Sequence, residues 1–208
     1  VIPDAHGDKA ALEQALQLGQ VPLQRASEYE EGTRIVFLGD AVDRGADPKG
    51  VYMLLEAVKS IRLLGNHDWL NLLGVAPEDD PSTPHQEDLF MPYVSKEDLN
   101  SFGGWAERQE AFSARGELGR KIREKFGVVA LLPQPWHEQG RLPPLTAAAT
   151  LFLHAGITWK LAQQYSDVAE MASEGRRALD RSLAGDDTGL LSELLHEVLQ
   201  ERFLAYGR

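Results

Sequence analysis

Ile35-Val36-Phe37-Leu38-Gly39-Asp40-Ala41-Val42-Asp43-Arg44-Gly45 is the stretch on which the reading of this chain turns. Four apolar residues form a short buried-strand run that stops at a glycine, and two carboxylates and a guanidinium follow at once. Upstream, Val1-Ile2-Pro3 reads as the end of a strand whose beginning is missing, leading into Asp4-Ala5-His6-Gly7. Downstream, Ser60 to Leu64 is a third strand candidate, stopping at Gly65-Asn66-His67-Asp68. Helices fit between them. Ala11, Leu12, Ala15, Leu16 and Leu18 recur at helical spacing behind Asp8 as N-cap, and Asp47-Pro48 opens a helix whose apolar face is Val51, Leu54, Leu55 and Val58. All three polar motifs therefore lie just past the carboxyl ends of strands in a βαβαβ unit, where open α/β sheets place their ligands.

The residue types at these strand ends suit a pair of divalent cations acting on a phosphate ester. Two ions roughly 3.5–4 Å apart can clamp a phosphoryl group and activate water. Hard cations take carboxylate oxygens, borderline ones accept imidazole, and an aspartate between two ions can bridge them. Asp4 and His6 are candidate ligands of one ion and Asp40 the candidate bridge. Asn66 is a candidate ligand of the second ion, with His154 in His154-Ala155-Gly156 as a further one. Arg44 is placed to bind phosphate oxygens, with Asn66 and His67 beside it. His67, oriented by Asp43, is the candidate acid that protonates the leaving alkoxide. A lone Asp-x-His-Gly is a turn more often than a ligand pair, and each other motif alone has an equally ordinary reading. Their conjunction at three successive strand ends argues against coincidence.

Composition narrows the partners. The 208 residues carry 21 Lys+Arg against 32 Asp+Glu, a formal charge of −11, which argues against a nucleic-acid backbone as the main partner. A metal pair would reverse that sign locally, so an anionic substrate is compatible with it. There is no cysteine, hence no disulfide framework or thiolate metal site, which leaves the compartment open with an intracellular setting favoured. No apolar run approaches the roughly 20 residues of a membrane span, so the chain reads as soluble. Pro77 to Pro92 is acidic and proline-rich and reads as a long surface loop. Lys121 to Phe126 reads as helix with Gly127 as its C-cap, and Val128–Leu132 and Thr150–Leu153 as strands. From Asp167 the pattern is helical, broken at Gly185 to Gly189, and Leu190, Leu191, Leu194, Leu195, Val198 and Leu199 form an amphipathic face. His85, His137 and His196 sit in contexts that read as structural or solvated.

The three motifs resemble those of the calcineurin-like metallophosphoesterases, and Gly39 to Gly45 with its Asp43-Arg44 pair is similar to the phosphoprotein phosphatase branch. Asn71-Leu72-Leu73-Gly74, Phe102-Gly103-Gly104 and Gly116-Glu117-Leu118-Gly119-Arg120 resemble the bacterial-like Shewanella-like phosphatases within it. The resemblance implies an α/β fold of two mixed sheets in a sandwich flanked by helices. It implies one catalytic domain over 1–208, with 77–115 as a variable loop or helical insertion. It further implies two divalent ions (manganese, iron or zinc) and hydrolysis of phosphomonoesters on proteins by direct attack of a metal-bound hydroxide. Two departures stand out. Asp68 occupies a position where the branch usually has Glu, and Asp there also occurs in bacterial diadenosine tetraphosphate hydrolases. The family's last metal-binding histidine, from a Gly-His segment, has no counterpart after His154, so the expectation is a fragment truncated at both ends. A nucleotide or diadenosine polyphosphate hydrolase is the second enzymatic reading, and a catalytically weak metal-binding pseudo-phosphatase the third.

Overall fold

Capping aspartates set the first helices. In the computed structural model, which describes residues 1–21, 34–72, 94–133, 149–155 and 163–183, α1 (Lys9–Leu18) starts where the Asp8 side chain accepts the Ala11 N–H at 2.9 Å. Likewise α2 (Pro48–Ala57) starts where Asp47 accepts the Gly50 N–H at 2.8 Å, with proline in the first turn. Between these helices lies β1 (Val36–Phe37), and after them β2 (Ile61–Leu63). The two strands are parallel, pairing Val36 with Ile61 and Phe37 with Arg62. Ile2 adds a parallel bridge to Phe37, its N–H donating to the Val36 carbonyl at 2.8 Å. The strand ends expected of the three motifs are thus in place side by side.

The chain divides into two units, Val1–Phe126 and Gly127–Arg208. In the first, α3 (Asn66–Leu72) follows β2 directly, and the stretch after residue 93 is helical: α4 (Lys96–Phe102), α5 (Trp105–Phe112) and α6 (Glu117–Lys125). Leu12, Leu16, Val36, Phe37, Val51, Leu55, Leu63, Phe112 and Ile122 are buried and form its core. The sequence expectation for the end of α6 is corrected. Gly127 is not its C-cap. Phe126 caps the helix in extended backbone (φ −98°, ψ 133°) and starts β3 (Phe126–Gly127), which lies beyond β2 in the sheet order β1-β2-β3. Burial of the Phe126 ring, 2 % exposed, favours turning the chain inward at that residue over another turn of helix.

In the second unit β4 (Val129–Pro133) and β5 (Ala149–Leu153) pair antiparallel, Val129 facing Leu153. The long α7 (Val168–Leu183) starts behind Asp167, whose side chain accepts the Glu170 N–H at 2.8 Å, and packs on β4 with Met171, Ala178 and Leu179 buried. Helices and two sheets together make the α/β class that the sequence indicates. Among the described residues no helix is long and apolar enough to cross a membrane. The loop expected at 77–92, the break at 185–189, the amphipathic face at 190–199 and residues His85, His137 and His196 lie outside the described residues.

Motifs one and two interlock through backbone. Ala5 and His6 donate to the Asp40 carbonyl at 3.1 and 2.8 Å, Gly7 to that of Ala41 at 2.8 Å, and Asp47 to that of Gly7 at 3.0 Å. Gly45 sits against Gly7 so closely that a Cβ would overlap the Gly7 carbonyl and lie 2.5 Å from the Asp8 nitrogen. Those neighbours are backbone, pinned by the bonds just named, and cannot yield. Gly45→Ala is therefore expected to destabilise the protein by about 3 kcal/mol, read from the denaturant midpoint. A change within about 0.5 kcal/mol, the usual range for an uncritical surface site, would contradict this contact.

Candidate active site

His6, Asp40 and His67 converge at the ends of the parallel strands, with one ligand atom of each within 4.8 Å of the others. His6 Nε2 lies 3.9 Å and His67 Nε2 4.0 Å from Asp40 Oδ2, and Asp4 Oδ2 is 3.8 Å from His6 Nε2. These separations are too long for hydrogen bonds, and those among Asp4, His6 and Asp40 suit donors that share a cation. Both rings are also held from behind through Nδ1. His6 Nδ1 is engaged by the Val42 carbonyl at 2.9 Å and His67 Nδ1 by the Asp43 carboxylate, so both rings turn Nε2 toward Asp40. Asp4, His6 and Asp40 fit a divalent ion as donors, and His67 Nε2 faces Asp40 beside them.

The His67 pKa is raised. Burial works against its charged form, but the Asp43 hydrogen bond and the charges of Asp40, Asp43 and Asp68 outweigh burial. An imidazole whose charged form is favoured in this way and which a carboxylate holds is suited to donating a proton. Asn66 opens α3 beside it, half-buried, and the Arg44 side chain is exposed. His154 is half-buried and directly follows β5 in the second unit. The first unit thus brings together Asp4, His6, Asp40, Asp43 and His67 as the sequence anticipates.

Three of these residues carry backbone strain. His6 (φ 46°), Asp40 (φ 59°) and Asp43 (φ 92°) occupy the left-handed region, at a cost of order 1–3 kcal/mol each. Such conformations persist only where the surroundings over-determine them, and side chains that sequence reasoning passed over do so here. Asp68, fully buried, accepts from the N–H groups of Asp40 (2.8 Å), Ala41 (3.0 Å) and Gly65 (3.1 Å) and from the Tyr52 hydroxyl (2.8 Å). It ties motif two to motif three. The position was singled out in sequence for carrying Asp in place of Glu, but its clamping role depends on groups that meet only in the fold. Burial and the Asp40 charge push its pKa up to about 6 against those donors, and the Tyr52 hydroxyl is raised well above its ordinary value by burial and by Asp68.

Asp43 is held from the other side. Its N–H donates to Asp98 Oδ2 at 2.9 Å and its carbonyl accepts the Ser95 N–H at 2.7 Å. Its Oδ1 accepts from Asn71 Nδ2 at 3.0 Å and from Arg108, leaving Oδ2 for His67. Asp98 and Arg108 were not visible as site residues in the sequence. Trp105, Arg108 and Phe112 share one face of α5 by their spacing, and that apolar setting for an arginine is the signal that could have found it.

With this geometry in hand the family is plain: the chain belongs to the calcineurin-like phosphoesterases, whose family model matches residues 1–201. Members characteristically bind divalent metals, consistent with the His/Asp group described above. Among solved structures, a mutant of a cold-active protein tyrosine phosphatase superposes with a TM-score of 0.56 at 17 % identity, over 89 % of this chain and 51 % of that one. At that identity the likeness is one of fold, and the chain spans about half the length of that protein. Comparison with the curated proteins gives no match.

Proposed function

We propose that the protein is a metal-dependent phosphatase that hydrolyses phosphomonoesters, with phosphorylated Ser, Thr or Tyr of proteins as substrate class. The observation that carries this reading is the convergence of His6, Asp40 and His67, with the Asp43–His67 pair, at the strand ends. Asp4, His6, Asp40, Asn66 and His154 are the assigned ligands of two divalent ions, manganese, iron or zinc. When bound, such ions supply charge neutralisation at the phosphoryl oxygens and an activated water. The chain's own groups do the rest. Arg44 clamps phosphate oxygens, Asp43 holds His67 in one tautomer, and His67 gives its Nε2 proton to the leaving oxygen. The likeness to the phosphoprotein phosphatase branch lies in Asp43-Arg44 and supports a phosphoprotein substrate. Asp68 does not favour the diadenosine tetraphosphate reading, because a fully buried side chain does not touch substrate.

The test is a side-by-side assay of the metal-loaded protein on a phosphopeptide panel and on diadenosine tetraphosphate. A higher kcat/KM for the phosphopeptides is expected, faster turnover of the dinucleotide would replace this substrate class, and no turnover with fewer than two ions per chain would indicate a pseudo-enzyme. His67→Ala should lower turnover about 10²-fold or more, the usual contribution of a positioned general acid, with metal content unchanged. Loss of metal in that variant would make His67 a ligand.

A further inference from the structure

Behind the Asp43–His67 pair lies a buried arginine that none of the three motifs contains. Arg108 is 3 % exposed and is stacked among the rings of Phe102, Trp105 and Phe112, its guanidinium carbon 5.5, 5.7 and 5.2 Å from their centroids. Its guanidinium fans out to three different acceptors. Nη2 donates to Asp43 Oδ1, Nη1 to Asn71 Oδ1 and Nε to Asp98 Oδ1 at 2.6 Å. Asp98 in turn accepts the Asp43 N–H, and Asn71 donates both to Asp43 Oδ1 and to the His67 carbonyl at 2.8 Å. The arginine thus meets Asp43 directly, through its backbone by way of Asp98, and through its side chain by way of Asn71.

We propose that Arg108 is a positioning residue for proton donation: by occupying Asp43 Oδ1 it fixes the carboxylate so that only Oδ2 meets His67 Nδ1, which aims Nε2 at the leaving oxygen. The inference rests on the reading of His67 as proton donor. Its physical basis is the geometry at Asp43. That backbone is strained (φ 92°), and a carboxylate with a free second oxygen would pivot about its χ2 torsion, which is broad for aspartate. The guanidinium removes that freedom by bonding Oδ1 itself and by holding Asn71, the other donor to that oxygen. Close packing holds the guanidinium fork in place. Cβ atoms on Gly116 and Gly119 would overlap the carbonyls of Glu110, Ala111, Phe112 and Ser113, so glycines at the N-cap and in the first turn of α6 let it abut the end of α5.

A general acid matters most when the leaving group is poor. The experiment compares kcat and KM of metal-loaded wild type, Arg108→Ala, Arg108→Lys and His67→Ala on a phosphoserine peptide and on p-nitrophenyl phosphate, whose phenolate leaves unaided. Arg108→Ala should lower kcat about 10²-fold on the alkyl ester, within the range for general acids, but only a few-fold on the aryl ester, with KM little changed. Arg108→Lys, which keeps the charge without the fork, should show the same asymmetry in milder form. NMR of the metal-free protein gives an independent readout, since the downfield, exchange-protected His67 Nδ1 proton of the wild type should disappear in Arg108→Ala. Equal loss on both esters, or a retained Nδ1 proton signal, would reduce Arg108 to a structural role and overturn the proposal. If Arg108→Ala does not fold, Arg108→Lys and Asn71→Ala carry the same comparison. His67→Ala separates the two levels. Absence of leaving-group asymmetry there overturns the proton-donor reading and this inference with it. Asymmetry there without asymmetry in the Arg108 variants overturns this inference alone.

Discussion

Asp40→Asn is expected to abolish most activity while leaving the metal-free fold as stable as the wild type or more so. Asp40 is 3 % exposed, and its Oδ2 faces the Nε2 atoms of His6 and His67 while its Oδ1 accepts the His67 N–H at 2.9 Å. Asparagine has the same shape, tolerates the left-handed backbone found at this position (φ 59°), and keeps an oxygen for the His67 N–H. The substitution therefore removes one charge and little else. In the proposed centre that charge is the one both ions would draw on, and losing it should weaken the binding of each. A fall in turnover of about 10³-fold, or ~4 kcal/mol of transition-state stabilisation, is the expected scale. In the metal-free protein the same carboxylate is a liability, because it repels the buried Asp68 and contributes to raising its pKa. Metal analysis, kcat and a denaturant melt of the metal-free protein check the two halves. Wild-type turnover with full metal content would remove Asp40 from the centre, and a melt several kcal/mol weaker would show that its role is structural.

How much of this was legible beforehand follows from the range of the interactions. The caps Asp8 and Asp47 are bonded to nitrogens three residues on, so local sequence announced them. The three motifs were legible for a related reason: each is a strand end, and strand ends in a parallel unit come together by topology. Asp43 and His67 could be paired from chemistry, and the structure pairs them. What stayed hidden is the support behind them. Asp98 and Arg108 reach Asp43 across a long stretch of chain whose middle gives no periodic signal, and the α5 segment Trp105-Ala-Glu-Arg-Gln-Glu-Ala-Phe112 looks like a solvated helix on polarity alone. Ring stacking around the guanidinium, which makes burial tolerable, is a property of the assembled α4 and α5. The end of α6 went astray for the converse reason: Gly127 is a sound local stop signal, and tertiary burial of Phe126 overrode it.

Asp68→Ala should be the most damaging single change to stability among the site residues. Its two oxygens collect three backbone N–H groups and the Tyr52 hydroxyl, all buried, and those N–H groups belong to the turns that carry Asp40 and Gly65. Removing the carboxylate strands four donors, each worth about 1–3 kcal/mol when left unpaired. A water entering the vacated space can satisfy part of that demand, so a loss of about 3–5 kcal/mol is expected, a large share of the roughly 5–15 kcal/mol that holds a domain together. The ordering of variants is the sharper test. Asp68→Asn keeps one acceptor oxygen but turns an NH2 toward donors, and should lose about 1–3 kcal/mol. Tyr52→Phe withdraws one donor and leaves the three backbone bonds, and should lose about 1 kcal/mol. The pH dependence gives a second check on the metal-free protein. Because burial and Asp40 raise the folded pKa of Asp68 to about 6, its contribution to stability is fully present below about pH 4, where the unfolded carboxyl is also protonated. That contribution is lost as the pH rises through 6, since the unfolded state gives up its proton first. In Asp68→Asn this pH slope should flatten. Stability of Asp68→Ala within about 1 kcal/mol of wild type, or an unchanged slope in Asp68→Asn, would mean that the turns bearing Asp40 and His67 are held by something other than this carboxylate.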